Sequence, residues 1–451
     1  MPHAKLARRK PDAARVLAYA TLRAVTAEDA YANLELGRRL AEADLDARDA
    51  AFATELVAGT CRLQGTYDRV IAAASCRRTA DLSPEVLDVL RLGAHQLLSM
   101  RVPSRAAVAA TVDLAGAEVG ERVAGLTNAV LRKVDARSLD EWVADLSRGE
   151  DELGALALRT HHPRWIAEEY VRLLGDEAEA ALAANNVNPV PTLVVRPGLA
   201  TVAELDGEPT RHSPYGARRP GNPGDVAAVR EGRAGVQDEG SQLAALALAR
   251  AAEGQSGRRW LDLCAGPGGK AALLAGLAIE RGNRLVAAEL QPHRARLVSQ
   301  ALRGYAGSDL APEVLCVDGT APPWRPGSFG AVLADVPCSG LGALRRRPES
   351  RWRRRPEDVT ALVPLQKRLL ESALQACAPG GIVVYVTCSP HHAETAEVVD
   401  AVLAATPVPA ERLPVSGVLD VPGSATGPYA QLWPHRHGTD AMFVALLRRA
   451  E

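Results

Sequence analysis

The stretch that most restricts what this chain can fold into is Arg259-Trp260-Leu261-Asp262-Leu263-Cys264-Ala265-Gly266-Pro267-Gly268-Gly269-Lys270, a short apolar strand that breaks into a glycine-rich turn and opens a helix. Strand, tight turn and helix in that order make a cofactor pocket. Glycines let the backbone approach a ligand, and the free N–H groups at the helix start favour polar or anionic groups. A nucleoside triphosphate loop needs glycine where Cys264 stands and Ser or Thr where Ala271 stands, so that loop does not fit. Gly266 and Gly268 match the first two glycines of a dinucleotide turn, and Ala271 takes the place of the third. An acidic residue, Glu289, ends the next apolar run, Leu285 to Glu289, where a carboxylate can hold ribose hydroxyls. The motif alone indicates a nucleoside-containing cofactor or a bare tight turn.

At 451 residues the chain exceeds one comfortable core, so two or three domains are expected. Charged residues make up 24%, ordinary for a globular protein, and no apolar run reaches membrane-spanning length. The net charge of −1 hides basic clusters at Lys5 to Lys10 and Arg345 to Arg355, so it does not exclude a nucleic-acid partner. Seven cysteines without paired spacing argue against both a disulfide framework and structural zinc. Met1-Pro2-His3-Ala4-Lys5 lacks the apolar core of a signal peptide, which makes a reducing cytoplasm the expected setting.

From Ala13 to about Val134 apolar residues recur at helical spacing, with Arg48 to Arg62, Pro84 to Met100 and Arg105 to Gly116 as separate amphipathic helices. Ser83 before Pro84 is expected to cap a helix. The segment Leu139 to Ala184 stays helical apart from a polar interruption near Arg148 to Glu152. Asn185-Asn186-Val187-Asn188-Pro189-Val190-Pro191 then stops the helices, and a run rich in Pro, Gly and Arg follows with a strand at Thr192 to Arg196. From Val236 onward strands and helices alternate, which implies a mostly parallel, doubly wound sheet. The expected architecture is an all-α domain over residues 1–138, a small α/β connector over 139–235 and an α/β Rossmann-like domain over 236–451. In such sheets ligands sit beyond the carboxyl ends of the strands. Cys264, Glu289, Asp318, Asp335 and Cys388 follow five successive strand candidates there.

Cys61, Cys76, Cys316 and Cys377 read as small buried hydrophobes. Cys338, in Ala334-Asp335-Val336-Pro337-Cys338-Ser339-Gly340, and Cys388, in Thr387-Cys388-Ser389, lie in turns at the active edge, where packing does not call for sulfur. The sequences Asp-Leu-Cys-Ala-Gly-Pro-Gly-Gly-Lys, Asp-Val-Pro-Cys-Ser-Gly and Thr-Cys-Ser, in this order, resemble the S-adenosylmethionine-dependent RNA (cytosine-5) methyltransferases of the Sun family. The helical N-terminal region is similar to the NusB-like module of the bacterial branch that modifies 16S ribosomal RNA, and Asn185-Asn186 to Pro191 resembles that branch's connector.

The resemblance implies S-adenosylmethionine as cofactor and 16S ribosomal RNA as substrate; the chain is expected to be a monomer with neither a metal nor a membrane partner. It implies Cys388 as the nucleophile toward cytosine carbon 6 and Cys338 as the group that assists release. Asp335 is implied at the cytosine N3/N4 edge and close to the cofactor. It also implies a cofactor site built from Cys264, Ala265, Gly266, Pro267, Gly268, Gly269 and Lys270, with Glu289 at the ribose and Asp318 near the adenine. The strip Arg345, Arg346, Arg347, Arg351, Trp352 and Arg353 reads as a basic loop or, beside a flipped-base pocket, as an RNA contact. The chain departs from the family at Pro390-His391-His392-Ala393-Glu394-Thr395 and at Ala441-Met442. His391 and His392 read as a helix start and not a metal site. The alternatives are cytosine-5 methylation of another RNA, methylation of an exocyclic amine, and a non-catalytic RNA-binding or assembly factor.

Overall fold

The computed structural model of the protein describes residues 10–255 and 257–451. Of the basic cluster expected at Lys5 to Lys10, all but Lys10 lies outside the described residues. The chain groups into two compact units. One runs up to Val187 and takes in Leu344–Arg354, and the other comprises Asn188–Ala343 and Arg355–Glu451. This grouping cuts inside the expected segment 139–235: its helices up to Ala184 go with the first unit, and its strands, with the short helix Ala227–Arg230, go with the second.

Among the described residues the first unit contains α1 (Ala13–Ala27), α2 (Ala32–Glu42), α3 (Ala47–Ser75), α4 (Pro84–Leu98), α5 (Ser104–Glu118), α6 (Glu121–Val134), α7 (Leu139–Ser147), α8 (Glu152–Arg159), α9 (Arg164–Leu174) and α10 (Ala178–Ala184). Side chains that accept from orphan N–H groups start several of them: Asp12 for α1, Asp46 for α3 and Asp151 for α8, with a reciprocal Ser138–Glu141 box opening α7. Ser83 is the cap of α4, but its side chain makes no capping hydrogen bond there. Trp142 of α7 packs with Leu63, Tyr67 and Leu131, which is why the helices after residue 138 join this core.

The second unit holds two sheets. Strands β1 (Thr192–Val195), β2 (Glu208–Pro209), β3 (Gly216–Arg218) and β4 (Ala234–Val236) form a small antiparallel sheet in the order β2-β3-β1-β4. The large sheet contains β5 (Arg259–Asp262), β6 (Arg284–Glu289), β7 (Glu313–Cys316), β8 (Phe329–Asp335), β9 (Cys377–Thr387), β10 (Ala410–Leu413), β11 (Ala425–Thr426), β12 (Tyr429–Gln431) and β13 (Phe443–Arg449). Its order is β11-β12-β13-β9-β8-β5-β6-β7, with β10 also on β13. Strands β5 to β9 pair in parallel, while β13, β12, β11 and β10 add antiparallel pairings at the other edge.

Successive strand side chains point to opposite faces. Trp260, Ala287, Leu333 and Val384 pack with the helices Glu239–Ala251 and Gly269–Glu280. Leu261, Val286, Val332 and Val383 pack with Pro356–Ala376 and Ala396–Ala405. The sheet is thus buried on both faces, as parallel strands require. The chain passes from β5 to β6 and β7 on one side and then returns to β8 and β9 on the other. This reversal beside β5 opens a crevice at the strand ends.

Cys61 and Cys377 are buried, whereas Cys76 and Cys316 are exposed, contrary to the expectation for them. Cys76 is the left-handed C-cap of α3, and Cys316 ends the edge strand β7. The helix expected from His392 starts instead at Ala396, after a short 3₁₀ turn at His392–Glu394. Among the described residues no helix is long and apolar enough to cross a membrane.

Candidate active site

The turn after β5 is held by its neighbours. Glu289, at the end of β6, accepts from Gly266 N at 3.1 Å and from Gln291 N at 2.9 Å. Arg294 donates to the Gly266 carbonyl and lies 3.7 Å from the Glu289 carboxylate. A β-carbon on Gly266 would fall 2.1 Å from that carboxylate, so the close approach demands glycine. Gly268 has φ +112° and backs onto Val298 and Ala301, again leaving no space for a side chain.

Lys270, the first lysine of the following helix, does not stay in the turn. Its Nζ lies 2.9 Å from Asp335 Oδ2, at the end of β8, and 3.2 Å from Ser241 Oγ. Burial opposes the ammonium charge, but Asp335 more than offsets it and raises the Lys270 pKa. The residues expected to hold a cofactor and to touch a base therefore form one ion pair. Asp318 stands after β7, exposed, and accepts from Thr320 N and Oγ1, which lower its pKa.

The two turn cysteines come together: Cys338 Sγ lies 3.3 Å from Cys388 Sγ. The β8–β9 register pairs Asp335 with Val386, so the two turns leave the sheet side by side. The Cys338 thiol is held well above its ordinary range, first by the contact with Cys388 and then by burial. A thiolate at Cys388 is in turn near enough to Lys270 to raise the ammonium's pKa.

Sequence reasoning missed the groups that fix these turns. Glu394 is fully buried and accepts from Ser339 N at 2.7 Å, from Ser339 Oγ, and from Gln366 Nε2 at 3.0 Å. Gln366 also donates to the Pro337 carbonyl at 3.0 Å, and Ser339 Oγ meets Ser389 Oγ at 3.1 Å. One carboxylate thus fixes the Cys338 turn, and a serine pair joins it to the Cys388 turn. The departure after Thr387-Cys388-Ser389 supplies this carboxylate, and its only sequence signal was an acid a few residues beyond the motif. Gly342 donates its N–H to the Cys388 carbonyl at 2.8 Å and accepts from Ala441 N at 2.9 Å. The second departure, Ala441-Met442, is accommodated here: both residues are buried, and Met442 packs over Gly240.

Asp262 was also missed. Its carboxylate is buried at the end of β5, and among the described residues neither oxygen makes a well-formed hydrogen bond, with the Cys264 N–H acting weakly on it. Burial, and then the charge of Asp335, pushes its pKa up to about 7. A buried acceptor left open beside a glycine turn, with Glu289 one strand away, suits a ligand that carries both an amino group and vicinal hydroxyls.

Part of the arginine strip expected to contact RNA is engaged inside the first unit. Arg351 is fully buried and donates to the carbonyls of His161 and Asn185 at 3.1 Å each and to Asn186 Oδ1 at 2.6 Å. Trp352 lies against Gly65 and donates to the Cys61 carbonyl at 2.9 Å. Arg353 donates to the carbonyls of Val25, Asp29 and Ala30 at the end of α1. Arg345 is buried as well, while Arg346 and Arg347 are exposed, the latter over the Tyr31 ring. The free carbonyls at a helix end and the cleft opposite Gly65 absorb groups that a run of arginines would otherwise offer to phosphates.

A model of the family "16S rRNA methyltransferase RsmB/F" matches residues 249–448, and a NusB family model matches residues 12–136. The chain is 50% identical to a Mycobacterium tuberculosis protein named as a putative methyltransferase, over 99% of each chain. It is 33% identical to ribosomal RNA small subunit methyltransferase B of Pseudomonas putida, over 87% of this chain and 89% of that one. Among solved structures, PH0851 has a TM-score of 0.81 at 23% identity, covering 99% of this chain and 100% of its own. A methyltransferase homologue from Pyrococcus horikoshii has a TM-score of 0.54 at 23% identity, covering 66% and 99%.

Proposed function

Because the chain belongs to the RsmB/F family of S-adenosylmethionine-dependent ribosomal RNA methyltransferases, we propose that it methylates carbon 5 of a cytosine in 16S ribosomal RNA through a covalent bond between Cys388 and carbon 6. The observation that carries this reading is the pair of cysteine sulfurs 3.3 Å apart at the ends of β8 and β9, beside the Lys270–Asp335 ion pair. Methylation of an exocyclic amine needs no thiolate, still less two thiols. Carbon 5 of cytosine is a poor nucleophile until a sulfur adds at carbon 6 and makes it enamine-like.

The residues divide the work as follows. Cys388 attacks carbon 6 while the proton given up by its thiol is taken up, through solvent, at nitrogen 3, and the Asp335 carboxylate accepts hydrogen bonds from the resulting N3/N4 edge. Bound S-adenosylmethionine supplies an electrophilic methyl group on a sulfonium. Asp262 and the turn from Cys264 to Lys270 would hold its methionine end, Glu289 its ribose hydroxyls, with Asp318 near the adenine. Cys338, its own proton passed to solvent, then removes the carbon 5 proton as a thiolate; the ring double bond re-forms, the carbon–sulfur bond breaks to leave the Cys388 sulfur, and nitrogen 3 releases its proton to solvent.

The test is product identity. Unmodified 16S ribosomal RNA incubated with methyl-labelled cofactor and digested to nucleosides should yield label in 5-methylcytidine. Label in N4-methylcytidine, or in no nucleoside, overturns the proposal.

Gly342 supplies a second check. A β-carbon there would lie 2.0 Å from the Ala441 carbonyl oxygen and 2.8 Å from that of Cys388. Gly342→Ala must therefore displace the Cys388 backbone, and a displacement near 1 Å is expected to cost about 100-fold in kcat. Cofactor affinity, measured by calorimetry, should stay within about twofold of the parent, since Gly342 is not among the residues assigned to the cofactor.

A further inference from the structure

Beside the cofactor turn, on the second unit, lies a hollow of about 360 Å³ lined by Arg196, Gly232, Gly235, Pro267, Gln300 and Arg303, among others, with no acidic residue among the described residues of its lining. Two guanidinium groups converge on Gly232 from different elements. Arg196, just past β1, donates to the Gly232 carbonyl, and Arg303, after the helix Pro292–Leu302, lies about 3 Å from where a Gly232 β-carbon would stand. Gly232 has φ +77°, so glycine both permits the turn and keeps the hollow open.

Among the described residues the charge in this hollow is uncompensated. Arg196 is half-buried, and its pKa is lowered by burial and by the Arg303 charge. Of the neighbouring acids, Glu231 and Glu204 both pair with Arg233. Arg303 reaches only the Arg230 carbonyl, at 3.5 Å. Two like charges held together without a carboxylate repel each other, and an anion placed between them relieves both. The guanidinium fork matches two phosphate oxygens, and Gln300 adds an amide donor on the rim.

We propose that this hollow is a phosphate site, in which Arg196 and Arg303 grip a phosphodiester of the RNA substrate. The proposal rests on the RNA-methylating reading above and places the RNA backbone on the small antiparallel sheet next to the cofactor turn. Phosphate contacts of this kind fix register and orientation without reading sequence.

The experiment is fluorescence anisotropy of a labelled 16S ribosomal RNA fragment against the full chain at several salt concentrations. The Arg196→Gln/Arg303→Gln variant should bind about 10-fold more weakly near 0.15 M salt. Its plot of log Kd against log salt should be shallower by about 0.7 to 0.9 for each phosphate that the variant no longer neutralises. Arg303→Gln alone, at an exposed position, guards against misfolding and should show part of the same change. Cofactor affinity by calorimetry should not move. Unchanged RNA affinity and slope overturn the proposal, and so does a hollow that takes inorganic phosphate while RNA binding ignores the substitutions. A parent chain that binds no RNA at all sinks the methylation reading along with it.

Discussion

Cys388→Ala is expected to reduce methylation of 16S ribosomal RNA to the level of a reaction without enzyme, a loss of at least about 10⁴-fold, as removal of a covalent nucleophile does elsewhere. The reason is electronic: without sulfur at carbon 6, carbon 5 has no enamine character, and positioning alone cannot supply it. A thiolate at Cys388 would lie within the field of the Lys270 ammonium, and the neighbouring Cys338 thiol is held high first by its contact with Cys388 and then by burial. Cofactor affinity should be unchanged in the variant, because the assigned cofactor contacts come from β5, β6 and β7. A variant that retains more than a few per cent of parental turnover would remove Cys388 from the chemistry.

Cys338→Ala should do the opposite of stopping the reaction at its start: RNA should become trapped on the protein. In the free enzyme the Cys338 thiol is held high mainly by Cys388. Once Cys388 is bonded to carbon 6 it carries neither a thiol proton nor a charge, so its hold on Cys338 weakens while burial remains; the Cys338 proton passes to solvent, and the thiolate takes the carbon 5 hydrogen. Removing it leaves the methylated adduct without a route out. A denaturing gel should show an RNA-linked band that requires cofactor and disappears in Cys338→Ala/Cys388→Ala. Intact RNA and cofactor binding with no such band would assign release to another group.

What the sequence made legible was the frame. Glu289, Asp335, Cys264 and Cys388 follow strands whose apolar runs are plain, and doubly wound topology brings such strand ends to one edge whatever their separation along the chain. The boundaries moved where local signals misled. β9 begins at Cys377 and runs through Pro379-Gly380-Gly381, because its pairing with β8 tolerates a register shift between Phe329 and Ala331.

The supports of the site were not legible, since they depend on contacts between distant residues. Glu394 meets Ser339 across 55 residues and Gln366 across 28. The burial of the Asp262 carboxylate shows only when its surroundings are known. The arginine strip misled for a related reason. A basic run is normally solvated, and nothing in Arg351, Trp352 or Arg353 announces the carbonyls of residues 25–30, 61 or 161 that receive them.

The placement of Leu344–Arg354 has a consequence for anyone dividing this protein. The helical unit is discontinuous in the gene: the segment that stoppers the cleft at Gly65 and satisfies the end of α1 is encoded far downstream, a few codons past Cys338. A clone ending at Val187 would express a body missing its own plug, and a chimera that borrowed the helices from a relative would have to borrow those eleven codons as well.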